Sequence, residues 1–439
     1  MTLRIDYRVA PGGALKGTAR VPGDKSISHR VVMLGSLAEG TTRVTGFLEA
    51  EDALATLAAF RQMGVEIEGP AQGRLTIHGV GLDGLQAASR PLYLGNSGTS
   101  MRLLCGLLAG QPFDSVLTGD SSLSKRPMRR VTEPLQRMGA RIETTEAGTA
   151  PIHIYGGQKL HGIDYVMPVA SAQVKSCLLL AGLYAEGNTC VTEPAPTRDH
   201  TERMLQGFGY AVRREGSRVC LGGGGWLEAT DLDVPADISS AAFFLVGASI
   251  APGSELLLEH VGINPTRTGV IDILRLMGAK IEVLNSRMVG GEPVADLRVV
   301  SRSLKGIQIP EKLVPLAIDE FPVLFVAAAC AEGETVLRGA AELRVKESDR
   351  IQVMADGLTA LGIDARPTPD GIVIRGGRIE GGRVVSHGDH RIAMAFAIAA
   401  LRAGEAIEIE DCANVNTSFP GFSSLASRLG LQVEVIECD

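Results

Sequence analysis

A short segment with glycine at its fourth position occurs six times along the chain and decides the fold. The copies are RQMGVEIEG (61–69), QRMGARIET (136–144), QGFGYAVRR (206–214), RLMGAKIEV (275–283), TALGIDARP (359–367) and SRLGLQVEV (427–435). Each glycine is expected to end a helix, because the left-handed backbone conformation found there is favourable only without a β-carbon. The residues that follow alternate between apolar and polar, which predicts a half-buried strand.

Between these copies lies a second landmark, an apolar segment that ends at or near a glycine. Its six glycines are Gly40, Gly110, Gly187, Gly253, Gly333 and Gly404. Both landmarks recur about every 70 residues, which predicts six repeated units with two helices and several strands in each. Six units of this size predict an α/β fold with two lobes of three units.

Composition excludes several classes of protein. The chain has 439 residues, of which 45% are hydrophobic and 21% charged, as in soluble globular proteins. The longest apolar stretch, residues 392–401, is about half of the roughly 20 residues that cross a bilayer. The start, MTLRIDYRVAPGG, has no apolar signal segment, so a cytoplasmic protein is expected. The net charge of −7 and the 4% aromatic content disfavour a nucleic-acid binder.

The seven cysteines are scattered, and no two have the C-x-x-C spacing that is typical of zinc and redox sites. We therefore expect them to be small buried apolar residues in a reducing compartment.

The apolar segments have polar starts that favour anions. These starts are GDKSISHR (23–30), GNSGTSMR (95–102), SAQVKS (171–176), DISSAA (237–242), IDEFP (318–322) and GDHR (388–391). A helix N-terminus has free N–H groups and a partial positive charge. If the lobes bring these starts together, the protein binds a small molecule with several phosphate or carboxylate groups.

Four basic pairs at or near the helix starts strengthen this prediction. They are Lys25 with Arg30, Lys125 with Arg126, Lys346 with Arg350, and His390 with Arg391. Arginine binds carboxylate and phosphate oxygens through two N–H groups at once, and lysine acts as a point charge.

Carboxylates near these pairs could move protons. Asp319 lies at the start of the fifth apolar helix, and Glu347 lies inside RVKESDR (344–350). Glu347 is either an ion-pair partner of its basic neighbours or an acid–base group, and the sequence leaves both open. Asp237 is predicted to be a helix N-cap instead.

Eight motifs together resemble the 5-enolpyruvylshikimate-3-phosphate synthase family. They are GDKSISHR, LGNSGTSMR, KRPM, SAQVKS, TRDHTE, RVKESDR, DHRIAM and TSFPGF, and they extend from residue 23 to residue 422. SAQVKS and TSFP are similar to one branch of the family. The resemblance implies the two-lobed enolpyruvyl transferase fold, with three βαβαββ-type units in each lobe. It implies one lobe of residues 1–20 plus 240–439, a second of residues 21–239, and an active site in the cleft between them.

The family transfers the enolpyruvyl group of phosphoenolpyruvate to the 5-hydroxyl of shikimate 3-phosphate and releases phosphate. The resemblance implies no metal and no organic cofactor. The residues implied to bind shikimate 3-phosphate are Lys25, Ser26, Arg30, Ser171, Ala172, Gln173, Arg198, Asp319 and Lys346. Those implied to bind phosphoenolpyruvate are Lys25, Gly98, Arg126, Gln173, Arg350 and Arg391.

The resemblance also implies catalytic roles in an addition–elimination mechanism. Asp319 would accept the proton of the 5-hydroxyl, and Glu347, with Lys25 as a contributor, would protonate the methylene carbon. The sequence departs from other members at Thr417, where some have lysine, and at Ala172, where some have serine. Alanine at the position of Gly98 excludes glyphosate in other members, so glyphosate is expected to inhibit this protein in competition with phosphoenolpyruvate.

Two other functions fit parts of the sequence. A UDP-N-acetylglucosamine enolpyruvyl transferase would share the fold, but such enzymes typically have a reactive cysteine in the loop that here reads GDSSLSKRPMRR (119–130). A non-catalytic anion-binding protein would gain nothing from the acids Asp319 and Glu347. We therefore expect small-molecule substrates, no nucleic-acid or membrane partner, and a monomer.

Overall fold

The computed structural model describes residues 4–438 and shows a mixed α/β protein. Its α-helices are α1 (Lys25–Leu37), α2 (Glu51–Gln62), α3 (Gly98–Ala109), α4 (Arg129–Arg137), α5 (Ala172–Gly182), α6 (His200–Gly207), α7 (Ile238–Ile250), α8 (Gly269–Leu276), α9 (Phe321–Ala329), α10 (Arg350–Ala360), α11 (His390–Ala399) and α12 (Phe422–Leu429).

The strands have two to ten residues. Those in the first half of the chain are β1 (Arg4–Val9), β2 (Lys16–Ala19), β3 (Glu39–Thr45), β4 (Glu66–Ala71), β5 (Arg74–Val80), β6 (Leu92–Tyr93), β7 (Ser115–Thr118), β8 (Arg141–Glu143), β9 (Ile152–Tyr155), β10 (Asp164–Val166), β11 (Asn188–Thr192), β12 (Arg213–Glu215) and β13 (Arg218–Gly222). The others are β14 (Leu232–Asp233), β15 (Glu255–Gly262), β16 (Lys280–Val289), β17 (Glu292–Val300), β18 (Glu334–Leu337), β19 (Asp364–Thr368), β20 (Gly371–Arg375), β21 (Gly382–Val385), β22 (Ile407–Glu410) and β23 (Val433–Cys438).

The predicted repeats are confirmed in the backbone. All six glycines of the first landmark have positive φ, from 80° at Gly209 to 119° at Gly430, and each follows an even-numbered helix. A strand follows each glycine, namely β4, β8, β12, β16, β19 and β23. The left-handed residue ends the helix and lets the chain turn back into a sheet.

Six sheets repeat one strand order. In β14-β3-β5-β4, the edge strand β14 is parallel to β3, and β5 is antiparallel to both β3 and β4. The same order recurs in β6-β7-β9-β8, β10-β11-β13-β12, β2-β15-β17-β16 and β21-β22-β1-β23. The sixth sheet is β18-β20-β19, and an isolated parallel bridge between Gln308 and Val336 takes the place of its edge strand.

The described chain divides into two compact units. The central unit contains Gly23–Val234 and Met288–Glu292, and the terminal unit contains the chain through Pro22, Pro235–Arg287 and the chain from Pro293 onward. Each unit contains three of the six sheets.

Three apolar helices form the core of each unit. In the central unit, α3 and α5 pack so closely that a β-carbon on Gly106 would lie 2.0 Å from the carbonyl oxygen of Cys177. In the terminal unit, every residue of α7 and α9 is buried, and both pack against α11. Burying such apolar surface stabilises a fold by about 25 cal/mol per Å², so these helices hold the sheets of each unit together.

One pair of cysteines departs from the expectation. Cys190 on β11 and Cys220 on β13 are opposite each other in the antiparallel register and form a disulfide. The prediction was wrong for this pair because the strand register, which two scattered positions do not reveal, places the side chains together. The other described cysteines are the free thiols Cys105, Cys177, Cys330 and Cys412. The side chain of Cys438 lies outside the described residues.

Within the described range, the structure has no helix that is both long and apolar enough to span a membrane. The first three residues of the sequence MTLRIDYRVAPGG lie outside that range.

Candidate active site

Short polar side chains cap the apolar helices and orient their N-termini. Asp24 accepts a hydrogen bond from a backbone N–H in the first turn of α1, and Asp237 and Asp389 cap α7 and α11 in the same way. Ser97 and Ser171 cap α3 and α5. The N-cap predicted at Asp237 is confirmed. Helix starts oriented in this way suit anions, because backbone N–H groups and the positive end of the helix dipole lie there.

Arg30 lies in a buried hydrogen-bond network of the central unit. Its Nε donates to Oγ1 of Thr201 at 2.7 Å, and its Nη2 donates to Oγ of Ser176 at 2.9 Å. Its Nη1 donates to the carbonyl oxygen of Ser26 at 2.9 Å. Burial lowers the pKa of Arg30 to about 10, and the positive charge of Arg198 acts in the same direction. The network therefore fixes a charged guanidinium against the starts of α5 and α6.

Lys25 and Ser26 occupy the first turn of α1 beside this network. Nζ of Lys25 forms an ion pair with Oδ2 of Asp52, a buried carboxylate on α2. The imidazole of His29 is fully buried, and burial, together with the charges of Lys25 and Arg30, lowers its pKa well below the ordinary value. His29 is therefore neutral, and the positive charge of this helix start belongs to Lys25 and Arg30.

Gly98 and Arg126 come together at the start of α3. A β-carbon on Gly98 would lie 3.1 Å from Nη1 of Arg126. Nη2 of Arg126 donates to Oδ1 of Asn96 at 2.5 Å, and Nδ2 of Asn96 donates to Oδ2 of Asp120 at 2.7 Å. Lys125 ends a short 3₁₀ turn that precedes α4. The side chain of Arg126 is thus held over the first residue of α3.

Gln173 joins the starts of α5 and α3. Its Oε1 accepts a hydrogen bond from Nη1 of Arg102 at 2.5 Å, and its Nε2 donates to Oγ1 of Thr99 at 3.1 Å. Ser171 is the N-cap of α5 and Ala172 is its first residue. Ala172 can therefore offer a ligand its backbone N–H but no hydroxyl.

Arg350 is the centre of a charged cluster in the terminal unit. Its side chain is 1% exposed, and its Nε donates to Oδ2 of Asp389 at 2.8 Å. Its Nη2 donates to Oε2 of Glu347 at 2.6 Å, and its Nη1 lies 3.4 Å from Oδ1 of Asp319. Burial alone would lower the pKa of Arg350, but the charges of these three carboxylates outweigh burial and raise the pKa above its ordinary value.

Asp319 contacts the other predicted cations of the terminal unit. Its Oδ1 lies 3.4 Å from Nζ of Lys346, the same distance as from Nη1 of Arg350. Its carbonyl oxygen accepts a hydrogen bond from Nη1 of Arg391 at 3.1 Å. Because α9 begins at Phe321, Asp319 lies just before the fifth apolar helix.

The start of α7 belongs to the same cluster through buried side chains. Glu320 accepts a hydrogen bond from Oγ of Ser239 and lies 3.8 Å from Nη1 of Arg391. Arg267 donates to Oγ of Ser239 at 2.6 Å and to Oδ1 of Asp237 at 3.1 Å. The starts of α7, α9, α10 and α11 are thus connected by one set of polar contacts.

Several residues of these clusters are not singled out by the sequence. They are Asp52, Arg102, Ser176, Thr201, Arg267 and Asp389. Arg267 contacts the hydroxyl of Ser239, and each of the others contacts a cation or an amide of these clusters. A signal exists for Asp389, because aspartate recurs before α1, α7 and α11. Thr417 stands where some similar sequences have lysine. Its hydroxyl is buried and donates to the carbonyl oxygen of Asn414 at 2.7 Å.

This arrangement suits anionic substrates and proton transfer. Each unit brings together cations at helix starts, and the terminal unit adds a carboxylate, Asp319, with cationic groups on two sides. Cationic side chains bind phosphate and carboxylate oxygens strongly, because the hydrogen bonds that they donate are charge-assisted. A carboxylate in such a setting can accept a proton while the cations stabilise negative charge nearby.

Comparisons with known proteins agree with this chemistry. The sequence model of the family EPSP synthase (3-phosphoshikimate 1-carboxyvinyltransferase) matches residues 9–425. A 3-phosphoshikimate 1-carboxyvinyltransferase of Methylococcus capsulatus is 75% identical over 431 residues, covering 98% of this chain and 99% of the relative. A relative of the same name from Alkalilimnicola ehrlichii is 73% identical and covers 97% of this chain and 96% of its own.

Solved structures show the same likeness. The EPSP synthase of Acinetobacter baumannii superimposes with a TM-score of 0.91 at 62% identity, covering 99% of this chain and 100% of that chain. The enolpyruvyl transferase NikO of Streptomyces tendae has a TM-score of 0.81 at 16% identity, with coverage of 99% and 100%. This second likeness shows the fold alone.

Proposed function

The chain belongs to the EPSP synthase (3-phosphoshikimate 1-carboxyvinyltransferase) family, and from this premise we propose how its residues carry out the reaction. The enzyme transfers the enolpyruvyl group of phosphoenolpyruvate to the 5-hydroxyl of shikimate 3-phosphate and releases phosphate. Its close relatives favour this reaction over transfer to UDP-N-acetylglucosamine and over anion binding without catalysis. The proposed mechanism depends most on one observation, the carboxylate of Asp319 at 3.4 Å from both Lys346 and Arg350.

We assign shikimate 3-phosphate mainly to the starts of α1 and α5. Lys25 and Arg30 supply positive charge for the phosphate and carboxylate groups, and the helix starts supply N–H donors. Because Arg30 is fixed by Thr201 and Ser176, it needs little reorganisation on binding. The remaining proposed contacts are Ser26, Ser171, Ala172, Gln173, Arg198, Asp319 and Lys346.

We assign phosphoenolpyruvate to a second set of cations. This set comprises Gly98, Arg126, Gln173, Arg350 and Arg391, with Lys25 shared between the two substrates. The carboxylate of Glu347 forms an ion pair with Nη2 of Arg350, whose side chain is almost completely buried. The carboxylate of phosphoenolpyruvate therefore reaches this nitrogen only when Glu347 moves away from it, which frees Glu347 to act on the substrate.

The proposed reaction is an addition followed by an elimination. Asp319 accepts the proton of the 5-hydroxyl while that oxygen forms a bond to C2 of phosphoenolpyruvate. Glu347, with Lys25 as a contributor, donates a proton to the methylene carbon C3, giving a tetrahedral adduct that still contains phosphate. The carboxylate of Glu347, which has just given up its proton, then removes a proton from the C3 methyl group; this restores the C2–C3 double bond and breaks the bond between C2 and the phosphate oxygen. The surrounding cations stabilise the departing phosphate.

The test is phosphate release from phosphoenolpyruvate, measured in parallel with shikimate 3-phosphate and with UDP-N-acetylglucosamine. We expect release with shikimate 3-phosphate alone. Release with UDP-N-acetylglucosamine alone would reassign the acceptor. Failure with both substrates would leave a folded anion-binding protein and remove the catalytic roles of Asp319 and Glu347.

Three further properties are part of the proposal. Glyphosate competes with phosphoenolpyruvate because Gly98 leaves space next to Arg126. The protein is a monomer, and it works in the cytoplasm. Inhibition kinetics, analytical ultracentrifugation and fractionation of the source cells test these three statements separately.

A further inference from the structure

A cavity of about 360 Å³ lies in the central unit at the ends of the apolar helices opposite to the anion-binding starts. Leu37, the last residue of α1, lines it together with Gly110 and Leu183, which are the C-cap residues of α3 and α5. The ends of the corresponding apolar helices of three repeats thus line one cavity. We call this cavity the C-terminal pocket.

The helix ends give the C-terminal pocket a negative character. The last carbonyl groups of a helix have a partial negative charge, equivalent to about half an elementary charge per helix. Three such ends meet at one cavity whose volume is within the range typical of small-molecule sites. The pocket therefore favours positive charge, whereas the opposite ends of the same helices favour negative charge.

The side chains that line the pocket add to this character. Glu39 and Asp83 are its charged residues, and both are acids; among the described residues that line it, none is basic. Both side chains are exposed. The backbone of Glu39 is held in place, because its N–H donates to Leu227 and its carbonyl oxygen accepts from Ala229. The backbone that bears one of the two carboxylates is thus held at the rim of the pocket.

An exposed aromatic side chain completes the lining. Trp226, the single tryptophan of the chain, is 63% exposed. Its neighbours are tightly packed: Leu227 is fully buried, and a β-carbon on Gly225 would lie 2.7 Å from the ring of Tyr210. Tyr184 lines another side and donates to the carbonyl oxygen of Leu82 at 3.3 Å. An indole on a fixed backbone is the best aromatic partner for a cation.

We propose that the C-terminal pocket binds a linear aliphatic polyamine. Two carboxylates and three helix ends call for a ligand with more than one positive charge, which a di- or triamine has. Its methylene chain would pack on Trp226 while its ammonium groups pair with Glu39 and Asp83. The site lies apart from the residues assigned to the transfer reaction and does not rest on that assignment.

Because Trp226 is the single tryptophan and lines the pocket, its fluorescence can report ligand binding there. We would titrate the full-length protein with spermidine, at constant ionic strength and without substrates, and follow tryptophan fluorescence and calorimetric heat in parallel. We expect a saturable change in both signals. Sodium chloride at matched ionic strength should give neither. If spermidine produces no saturable heat and no saturable fluorescence change, the proposal is wrong.

Charge-removing variants test whether binding occurs in the pocket. Glu39→Gln and Asp83→Asn preserve side-chain size at exposed positions, and each should weaken spermidine binding about tenfold. Glu186→Gln is the matched control, because Glu186 occupies the corresponding A-E-G position of another repeat and does not line the pocket. Equal weakening by all three variants would indicate non-specific attraction to an acidic surface and would overturn the proposal. Because no substrate is present, this result is independent of the transferase assay.

Discussion

Nη2 of Arg350 lies 2.6 Å from Oε2 of Glu347, so a proposed substrate-binding cation and a proposed proton donor are bound to each other. Glu347 lies three positions before Arg350, the first residue of α10, and it remains 30% exposed while Arg350 is 1% exposed. Glu347 can therefore leave the ion pair towards solvent or substrate, whereas Arg350 is held in place by Asp389. An incoming carboxylate would replace the carboxylate of Glu347 on the same nitrogen.

Replacing Glu347 by glutamine should separate its two roles. We expect Glu347→Gln to lower kcat by about 100-fold or more, because a proton donor is lost. The KM for phosphoenolpyruvate should stay the same or fall, because a neutral amide competes less well for Arg350. Steady-state kinetics of phosphate release measure both quantities.

Asp349→Asn is the matched control for that variant. Asp349 lies in the same RVKESDR segment, where it caps α10 and pairs with Arg344. Asparagine caps a helix about as well as aspartate, so kcat should stay near the wild-type value. A normal kcat in Glu347→Gln would remove the proton-donor role.

Asp319→Asn should abolish most activity but leave binding. The amide keeps the size of the side chain but cannot accept the proton of the 5-hydroxyl, so kcat should fall by about 100-fold or more. Calorimetric titration with shikimate 3-phosphate should still show binding. If the variant loses binding and keeps its kcat, Asp319 is a binding residue and the general base is another group.

Gly98→Ala should weaken the binding of phosphoenolpyruvate but not that of shikimate 3-phosphate. The new β-carbon would lie 3.1 Å from Nη1 of Arg126, so the guanidinium must shift. We expect the KM for phosphoenolpyruvate to rise about tenfold and inhibition by glyphosate to weaken. The KM for shikimate 3-phosphate is the internal control, and an equal rise in both constants would contradict the assignment of Gly98.

Thr201→Val should remove a hydrogen bond that holds the side chain of Arg30, while Arg30 itself is unchanged. Valine has the shape of threonine but cannot accept from Nε of Arg30 or donate to Ser176, at 2.7 and 2.8 Å in the native protein. Leaving these buried groups unpaired should cost about 1–3 kcal/mol in the free energy of unfolding. The KM for shikimate 3-phosphate should rise as well.

Thr201→Ser restores the hydroxyl and should recover most of both losses. Denaturant unfolding and kinetics of the two variants provide the comparison. If serine and valine behave alike, packing of the methyl group rather than the hydrogen bonds explains the effect.

The sequence predicts the architecture well because the fold is repeated. A single glycine such as Gly64 is weak evidence for a helix end, but six glycines in the same register predict six left-handed turns, and all six are found. The apolar helix bodies and their polar starts follow from the same comparison. A helix cap such as Asp237 depends on contacts between residues a few positions apart, so the sequence predicts it as well.

The sequence predicts less where distant segments meet. Thr201 lies 171 positions from Arg30, and only the packing of α6 beside α1 brings its hydroxyl to the guanidinium. The disulfide between Cys190 and Cys220 depends on strand register in the same way. The ion pair of Lys25 with Asp52 needs the crossing of α1 and α2. None of these relationships has a fixed spacing in the sequence.

The placement of β1 between β22 and β23 has a consequence for how the protein is made. Val9 pairs with Ile407 on one side and with Val433 on the other, so β1 can complete its sheet only after these distant residues have been synthesised. The strands of Gly23–Val234, by contrast, find their partners within that segment. Domains generally fold as they emerge during synthesis, and pairings between distant segments form slowly. We therefore expect the central unit to acquire its structure before the sheet that contains β1 is complete.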